Sequence, residues 1–214
     1  MTNRKLYLGG AVAAAAVASL ALAPNGSASP SHGSAGRHDH TVAGRLDPLN
    51  NSGVTGYGVI TVEGRRMHVS YDASKLAPGL PHAAHIHYGA QAMHECPTVA
   101  DDTNHDFRLN VVEGLPEYGP IAKSLTTRGD TSPASALAVD RFPTAPHGAV
   151  HYSRLITATK AVARAVRRGE GVLVVHGVDY NHNGRYDFAG AGRSELDPSL
   201  PAEATDPAVC GVLR

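Results

Sequence analysis

His82-Ala83-Ala84-His85-Ile86-His87 has the composition of a β-strand and the spacing of a metal site. Successive side chains of an extended strand point to opposite faces, so His85 and His87, two apart, project from one side with their rings close together. Two imidazoles on one face can share a metal ion, and neutral imidazole suits copper, zinc, iron and nickel. A second strand-like segment, Val174-Val175-His176, offers a third imidazole, and Cys96 and Cys210 are available beside them.

Outward from this stretch the chain offers strands more readily than helices. Val42 to Leu46, Gly58 to Val62, Met67 to Tyr71, Ala84 to Tyr88, Ala122 to Thr127, Ala149 to Leu155 and Val172 to His176 are short and often β-branched, and Gly, Pro, Asn and Asp separate them. Glu63-Gly64-Arg65 reads as a hairpin turn between two of them. With no βαβ rhythm, the pattern predicts an all-β fold, an antiparallel Greek-key barrel or sandwich of about eight strands. One segment is helical. Thr159 to Arg168 places Ala161, Val162, Ala165 and Val166 at helical intervals, with Arg167 and Arg168 in the last turn and Gly169 beyond, which predicts a short surface helix in a connection.

The 214 residues include 23 Gly and 14 Pro but no Trp, as a turn-rich domain does, and 19 Lys+Arg balance 19 Asp+Glu, which gives no electrostatic case for nucleic acid. Arg4 and Lys5 precede an apolar stretch from Leu6 to Ala23 and the small residues Gly26-Ser27-Ala28. This pattern predicts a secretory signal peptide over residues 1–28, hence a secreted or cell-surface protein with no membrane span after cleavage. A membrane anchor fits less well, because the stretch is Ala-rich and ends at Pro24. Residues 29–41 read as a disordered Ser/Gly/His linker, and 42–214 as one domain. In an oxidising compartment the two cysteines read as a disulfide between Cys96 and Cys210, which would tie the loop after the histidine strand to the last strand; two free buried thiols are the alternative.

Four motifs in order carry a family resemblance. Gly79-Leu-Pro-His82-Ala-Ala-His85-Ile-His87-Tyr-Gly89, then Cys96, then Val172-Leu-Val-Val-His176-Gly, then Val209-Cys210-Gly211-Val212 together resemble the copper/zinc superoxide dismutases over roughly residues 42 to 214. The related chordin-type (CHRD) domain shares part of the pattern. The resemblance implies His85, His87 and His176 as copper ligands and catalytic residues, with His82 hydrogen-bonded behind them. It implies superoxide as substrate, dismutated to oxygen and hydrogen peroxide as copper gains and returns one electron. Three fixed imidazoles with an open position suit that chemistry. His68, His94, His147 and His182 read as ordinary core or surface histidines.

The chain also departs from that family. The zinc-copper bridging histidine is expected six residues after the first cysteine, where Asp102 stands, and the rest of the zinc set has no counterpart, so zinc is not expected. The arginine that steers superoxide is expected three residues before the second cysteine, where Pro207 stands beside Asp206. A carboxylate there would repel an anion, which argues against fast dismutation. His94 and His105 are candidate fourth ligands at spacings that do not match.

The segment in place of the zinc loop has its own pattern. Asp102, Asn104, Asp106, Asn110 and Glu113 fall at positions 1, 3, 5, 9 and 12 of an EF-hand-like loop, a spacing that lets one loop supply most of the oxygens calcium needs. Phe107 stands at position 6, where the sharp turn normally uses Gly. Asp179, Asn181, Asn183 and Asp187 repeat the spacing with Gly184 at position 6, but with Gly190 in place of the final Glu. Each run can equally be an Asx-rich turn. Two functions from different classes follow: a secreted, copper-only dismutase-like enzyme, or a non-enzymatic module that holds copper or calcium in the extracellular space. A tail with His32, His38 and His40 could feed metal to the site or act only as a linker. No Gly-x-Ser-x-Gly elbow supports a nucleophilic hydrolase. Nothing in the sequence specifies an oligomer.

Overall fold

The computed structural model describes residues 39–214, so the signal peptide over 1–28 and most of the 29–41 linker, with His32 and His38, lie outside the described residues. Eight antiparallel strands form a single curled sheet: β1 (His40–Pro48), β2 (Thr55–Glu63), β3 (Arg66–Ser74), β4 (Ala84–His87), β5 (Ile121–Ser124), β6 (Ala149–Thr157), β7 (Gly171–His176) and β8 (Pro207–Leu213). Their spatial order is β5-β4-β7-β8-β1-β2-β3-β6. This is the all-β architecture expected from the strand pattern. The first strand begins at His40, two residues inside the expected linker, and β8 completes the set beyond the seven segments with clear strand periodicity.

The sheet curls until its free edges, β5 and β6, face each other, and side chains bridge them. Lys123 Nζ donates to the Thr157 carbonyl at 2.9 Å, and Arg154 and the Tyr152 hydroxyl donate to the Thr126 carbonyl at 2.7 and 3.1 Å. Close crossing of β1 and β8 depends on two glycines. A Cβ on Gly44 would collide with the Val212 carbonyl, and one on Gly211 with the Arg45 carbonyl.

Strand alternation sorts the interior from the outer face. Val42, Ile60, Met67, Val69, Tyr71, Tyr152 and Ile156 fill the barrel together with Ile86 of β4 and Leu173 and Val175 of β7. The opposite faces of β4 and β7 are buried as well. There Val172 and Val174 pack with Tyr118 and Cys210 in a second cluster. All residues of β4 and β7 are therefore buried on both sides, and His85, His87 and His176 occupy the outer side of that double wall.

What covers the outer side is a helix that periodicity does not predict. α1 (Val111–Tyr118) contains Gly114 and Pro116, both poor helix residues, and starts from a capping box in which Asn110 accepts from the Val112 and Glu113 amides and Glu113 from the Asn110 amide. The predicted surface helix is present as α2 (Lys160–Arg167), capped by Thr159; it buries Val162, Ala163, Ala165 and Val166 and leaves Ala161 exposed. Two single-turn helices, α3 (Phe188–Ala191) and α4 (Ala202–Thr205), lie in the β7–β8 connection. Among the described residues no helix is long and apolar enough to cross a membrane.

Cys96 and Cys210 are bonded, with Cα atoms 5.8 Å apart, and the bond fixes the segment after β4 to β8. That segment in turn holds α1, through the Met93 and Glu95 amides donating to the Pro116 and Glu117 carbonyls. The bridge closes a loop with a sequence separation of 114. On the chain-entropy account, Cys96→Ala with Cys210→Ala lowers the unfolding free energy by about 5 kcal/mol, read from urea denaturation. An unchanged midpoint would mean that the α1 cover holds without the bridge.

Candidate metal centre

Register places the histidines before any side-chain interaction is considered. β4 pairs β7 with His85 opposite Val174 and His87 opposite Val172, and the His176 amide donates to the Ala83 carbonyl at 2.8 Å. The rings converge: centroids lie 5.0 Å apart for His85 and His176, 5.7 Å for His85 and His87, and 6.1 Å for His87 and His176. Each side chain is at most 3% exposed.

Every ring spends one nitrogen on a backbone carbonyl. His85 Nε2 meets the Ala136 carbonyl at 3.1 Å, His87 Nδ1 that of Gly119 at 2.7 Å, and His176 Nδ1 that of Thr205 at 2.6 Å. A carbonyl can only accept, so each of these nitrogens carries the proton and the other nitrogen of each neutral ring is bare. The bare atoms are His85 Nδ1, His87 Nε2 and His176 Nε2, and all three are buried without a hydrogen-bond partner. One ring nitrogen from each of the three histidines lies within 4.8 Å of those of the other two, and among the described residues this is the one group of three or more His, Cys, Asp or Glu side chains whose ligand atoms converge.

The surroundings keep the rings neutral. Burial pushes the pKa of His87 down to about 3 and that of His176 to about 4, and takes His85 well below the ordinary value; for His85 and His87 the neighbouring imidazoles add to the effect. Tyr118 lies tilted over His87 at 4.4 Å, and Phe142 meets His85 edge-on at 5.4 Å. The Tyr118 ring reaches its place because Gly114, one turn earlier, has no Cβ to block it.

His82 stands behind the triad. Its Nδ1 lies 2.9 Å from the His176 carbonyl and its Nε2 3.1 Å from that of Ala77, while the Tyr186 hydroxyl is 3.2 Å from Nδ1 and can donate to a bare nitrogen. It therefore touches the main chain of a triad member and none of the bare nitrogens. His94 stacks on Tyr88 and bonds the Gly89 carbonyl, and His105 is on an exposed loop; neither joins the triad. His68, His147 and His182 are exposed.

The position expected to repel anions is modified by a partner that the sequence does not reveal. Asp206 is fully buried, yet Arg108 Nη1 sits 2.8 Å from its Oδ2 and the Tyr180 hydroxyl donates to the same oxygen at 2.9 Å. Burial raises its pKa to about 7 while Arg108 pulls it down. Asp206 is thus an internal ion-pair partner, and the Asp102 carboxylate lies on the neighbouring loop, accepting the Asp106 and Phe107 amides.

The two acidic loops are built alike. In the first, the Asp102 carboxylate accepts from residues 106 and 107, Asn104 from 106 and Asp106 from 108. In the second, Asp179 accepts from 183 and 184, Asn181 from 183 and Asn183 from 185. Phe107 has φ 66° where Gly184 has φ 80°, so the first loop makes the left-handed turn despite its side chain. Asn110 caps α1 and Asp187 caps α3. Glu113 accepts from the amides of residues 103 and 110; in the second loop the equivalent amides, 180 and 187, donate to Glu203 of α4. A Cβ on Gly190 would run into the Glu203 carboxylate, so the residue in place of the final Glu is a glycine because another glutamate fills its space. Sequence spacing cannot find Glu203, which lies 13 residues beyond the loop's last position, Gly190.

Comparison with known proteins adds no family: no protein-family model matches the chain, and no curated protein matches it.

The buried imidazoles make a pH prediction for metal-free protein. Their folded pKa values lie below the ordinary 6.5, so the unfolded chain takes up protons first and stability present above pH 6.5 is lost as pH falls toward about 4. Asp206 has the opposite sign, its folded pKa of about 7 exceeding the ordinary 3.8, and offsets one of the three. His82, buried and likewise shifted below the ordinary value, adds to the loss, so stability falls as pH drops through this window. Urea midpoints that stay flat between pH 6.5 and about 5 would show that the rings charge freely in the fold.

Proposed function

We propose that this is an exported copper protein in which His85, His87 and His176 bind one copper ion. The observation that carries it is three buried histidines whose ligand atoms lie within 4.8 Å of one another and each of which keeps one ring nitrogen without a hydrogen-bond partner. An unpartnered buried acceptor is costly, and three aimed at one point are satisfied together by a single cation. Imidazole-only ligation suits copper, and the mixed use of Nδ1 and Nε2 follows from which nitrogen each backbone carbonyl holds. A copper ion so held supplies one-electron redox chemistry, and superoxide dismutation is the reaction that the motif resemblance suggests. The protein's own contribution is to keep all three rings neutral, fix their tautomers and exclude water. The Cys96–Cys210 bond supports an oxidising, extracytoplasmic setting.

Copper analysis of the purified full chain tests this: one copper per chain is expected. His85→Ala and His176→Ala are each expected to weaken binding by more than the roughly 100-fold that loss of an outer hydrogen-bond partner costs. Superoxide turnover that vanishes in the same variants supports the enzyme, and copper-loaded but inactive protein supports the metal-holding module. Copper retained by both variants would overturn the assignment.

A specific observation favours calcium as a second metal in the module reading. Glu203 stands in for Glu113, so each loop has the carboxylate that its sequence spacing needs at position 12. Calcium in the first loop would compete with Arg108 for the Asp106 carboxylate. Added calcium is then expected to raise the melting temperature of the wild type, with a smaller rise in Glu113→Gln and Glu203→Gln, since a ligand of the folded state alone stabilises it. A melting temperature indifferent to calcium would remove this reading and leave the copper site untouched.

A further inference from the structure

We infer that the cleft between the two acidic loops binds a neutral oligosaccharide, with the Phe107 ring as the surface on which one sugar unit stacks. The cleft has a volume of about 540 Å³, within the range of small-molecule sites, and none of the triad histidines lines it. Phe107 also lines an adjoining cleft of about 370 Å³, so its ring is shared by two hollows that a chain of sugars can span. The ring is costly where it stands. It is 92% exposed, the most of any large hydrophobic side chain among the described residues, and its φ of 66° is left-handed, where the second loop has Gly184. Neither packing nor backbone preference favours a phenylalanine there. Five of the seven non-glycine residues with left-handed backbone among the described residues line this cleft: Asn50, Asn51, Lys75, Phe107 and His182. Such conformations gather at ligand sites.

The lining chemistry selects the ligand class. Lys75 and Arg108 balance Asp106 and Asp179, and Arg108 is held by Asp106 and Asp206, so the cleft offers no net charge to a phosphate or a polyanion. Asn51, Lys75 and His182 are exposed, and their side chains make no hydrogen bond or ion pair within the described residues. An amide, an ammonium and an imidazole together supply donors and acceptors, as a ligand with many hydroxyls requires. An aromatic ring presents a negative face, which suits the C–H hydrogens on the flat side of a pyranose. A neutral saccharide brings both features. A nucleotide brings charge that the cleft does not match, and a lipid chain would leave the polar groups unpaired.

Calorimetric titration and saturation-transfer NMR of the full chain, with neutral tetrasaccharides of glucose, N-acetylglucosamine, mannose, galactose and xylose, test this inference. At least one is expected to bind, with saturation transferred to the C–H hydrogens of one ring face. Phe107→Gly is expected to weaken that binding by about tenfold, as loss of a stacking platform does. The same variant is expected to keep or raise the melting temperature, because glycine suits a φ of 66° and the exposed ring contributes no packing. Phe107→Tyr keeps the ring and is expected to keep the affinity. Three results each overturn the inference: no tetrasaccharide bound at roughly 10 mM, a concentration at which even a weak site fills; affinity unchanged in Phe107→Gly; or an oligogalacturonate, with a carboxylate on every unit, bound more tightly than every neutral chain. The copper assignment stands under any of them, since the cleft uses no triad histidine.

Discussion

Three bare imidazole nitrogens that point at one another inside a protein have no partner but a cation. Water is kept from His85 Nδ1, His87 Nε2 and His176 Nε2, and no donor replaces it. Leaving such acceptors dry costs free energy, and protonating them there costs more, because burial and the neighbouring rings oppose charge. The fold bears that cost in the metal-free state. Features elsewhere in the domain make sense as means of holding the three rings at this spacing.

The means are traceable. The pairing of β4 with β7 sets the rings on one side of a wall buried on both faces. The disulfide fixes the segment that carries α1, and α1 brings the Gly119 carbonyl and the Tyr118 ring to His87. The connection between β5 and β6 brings the Ala136 carbonyl to His85 and Phe142 to its edge. The connection between β7 and β8 serves His176. Within the short span 203–206, Glu203 grips the second acidic loop, the Thr205 carbonyl orients the ring, and Asp206 ties back to Arg108 of the first loop. Both acidic loops are thus attached to the segment that sets the tautomer of one triad histidine.

Legibility followed the range of the interaction. Strand alternation is local, so β4, its face-sharing histidines and most of the sheet could be read from spacing alone, as could α2 with its Thr159 cap. The convergence of His176 with His85 and His87 came from motif order, since nothing within a strand specifies its neighbour. α1 was hidden because Gly114 and Pro116 argue against a helix, and it forms because the Asn110–Glu113 capping box and the cover it gives the metal wall outweigh them. Asp206 looked like an anion repeller because its partner, Arg108, is 98 residues away. Glu203 could not be assigned to a loop from which it is separated by α3 and a turn; only the space left at Gly190 marks it.

The central claim is that His85, His87 and His176 form one metal site. Anomalous diffraction at the copper edge from copper-loaded crystals of the full chain tests it most directly. The account predicts one strong peak at bonding distance, about 2 Å, from His85 Nδ1, His87 Nε2 and His176 Nε2 together. Copper bound only at an exposed histidine such as His68, with the three nitrogens still bare, would contradict it.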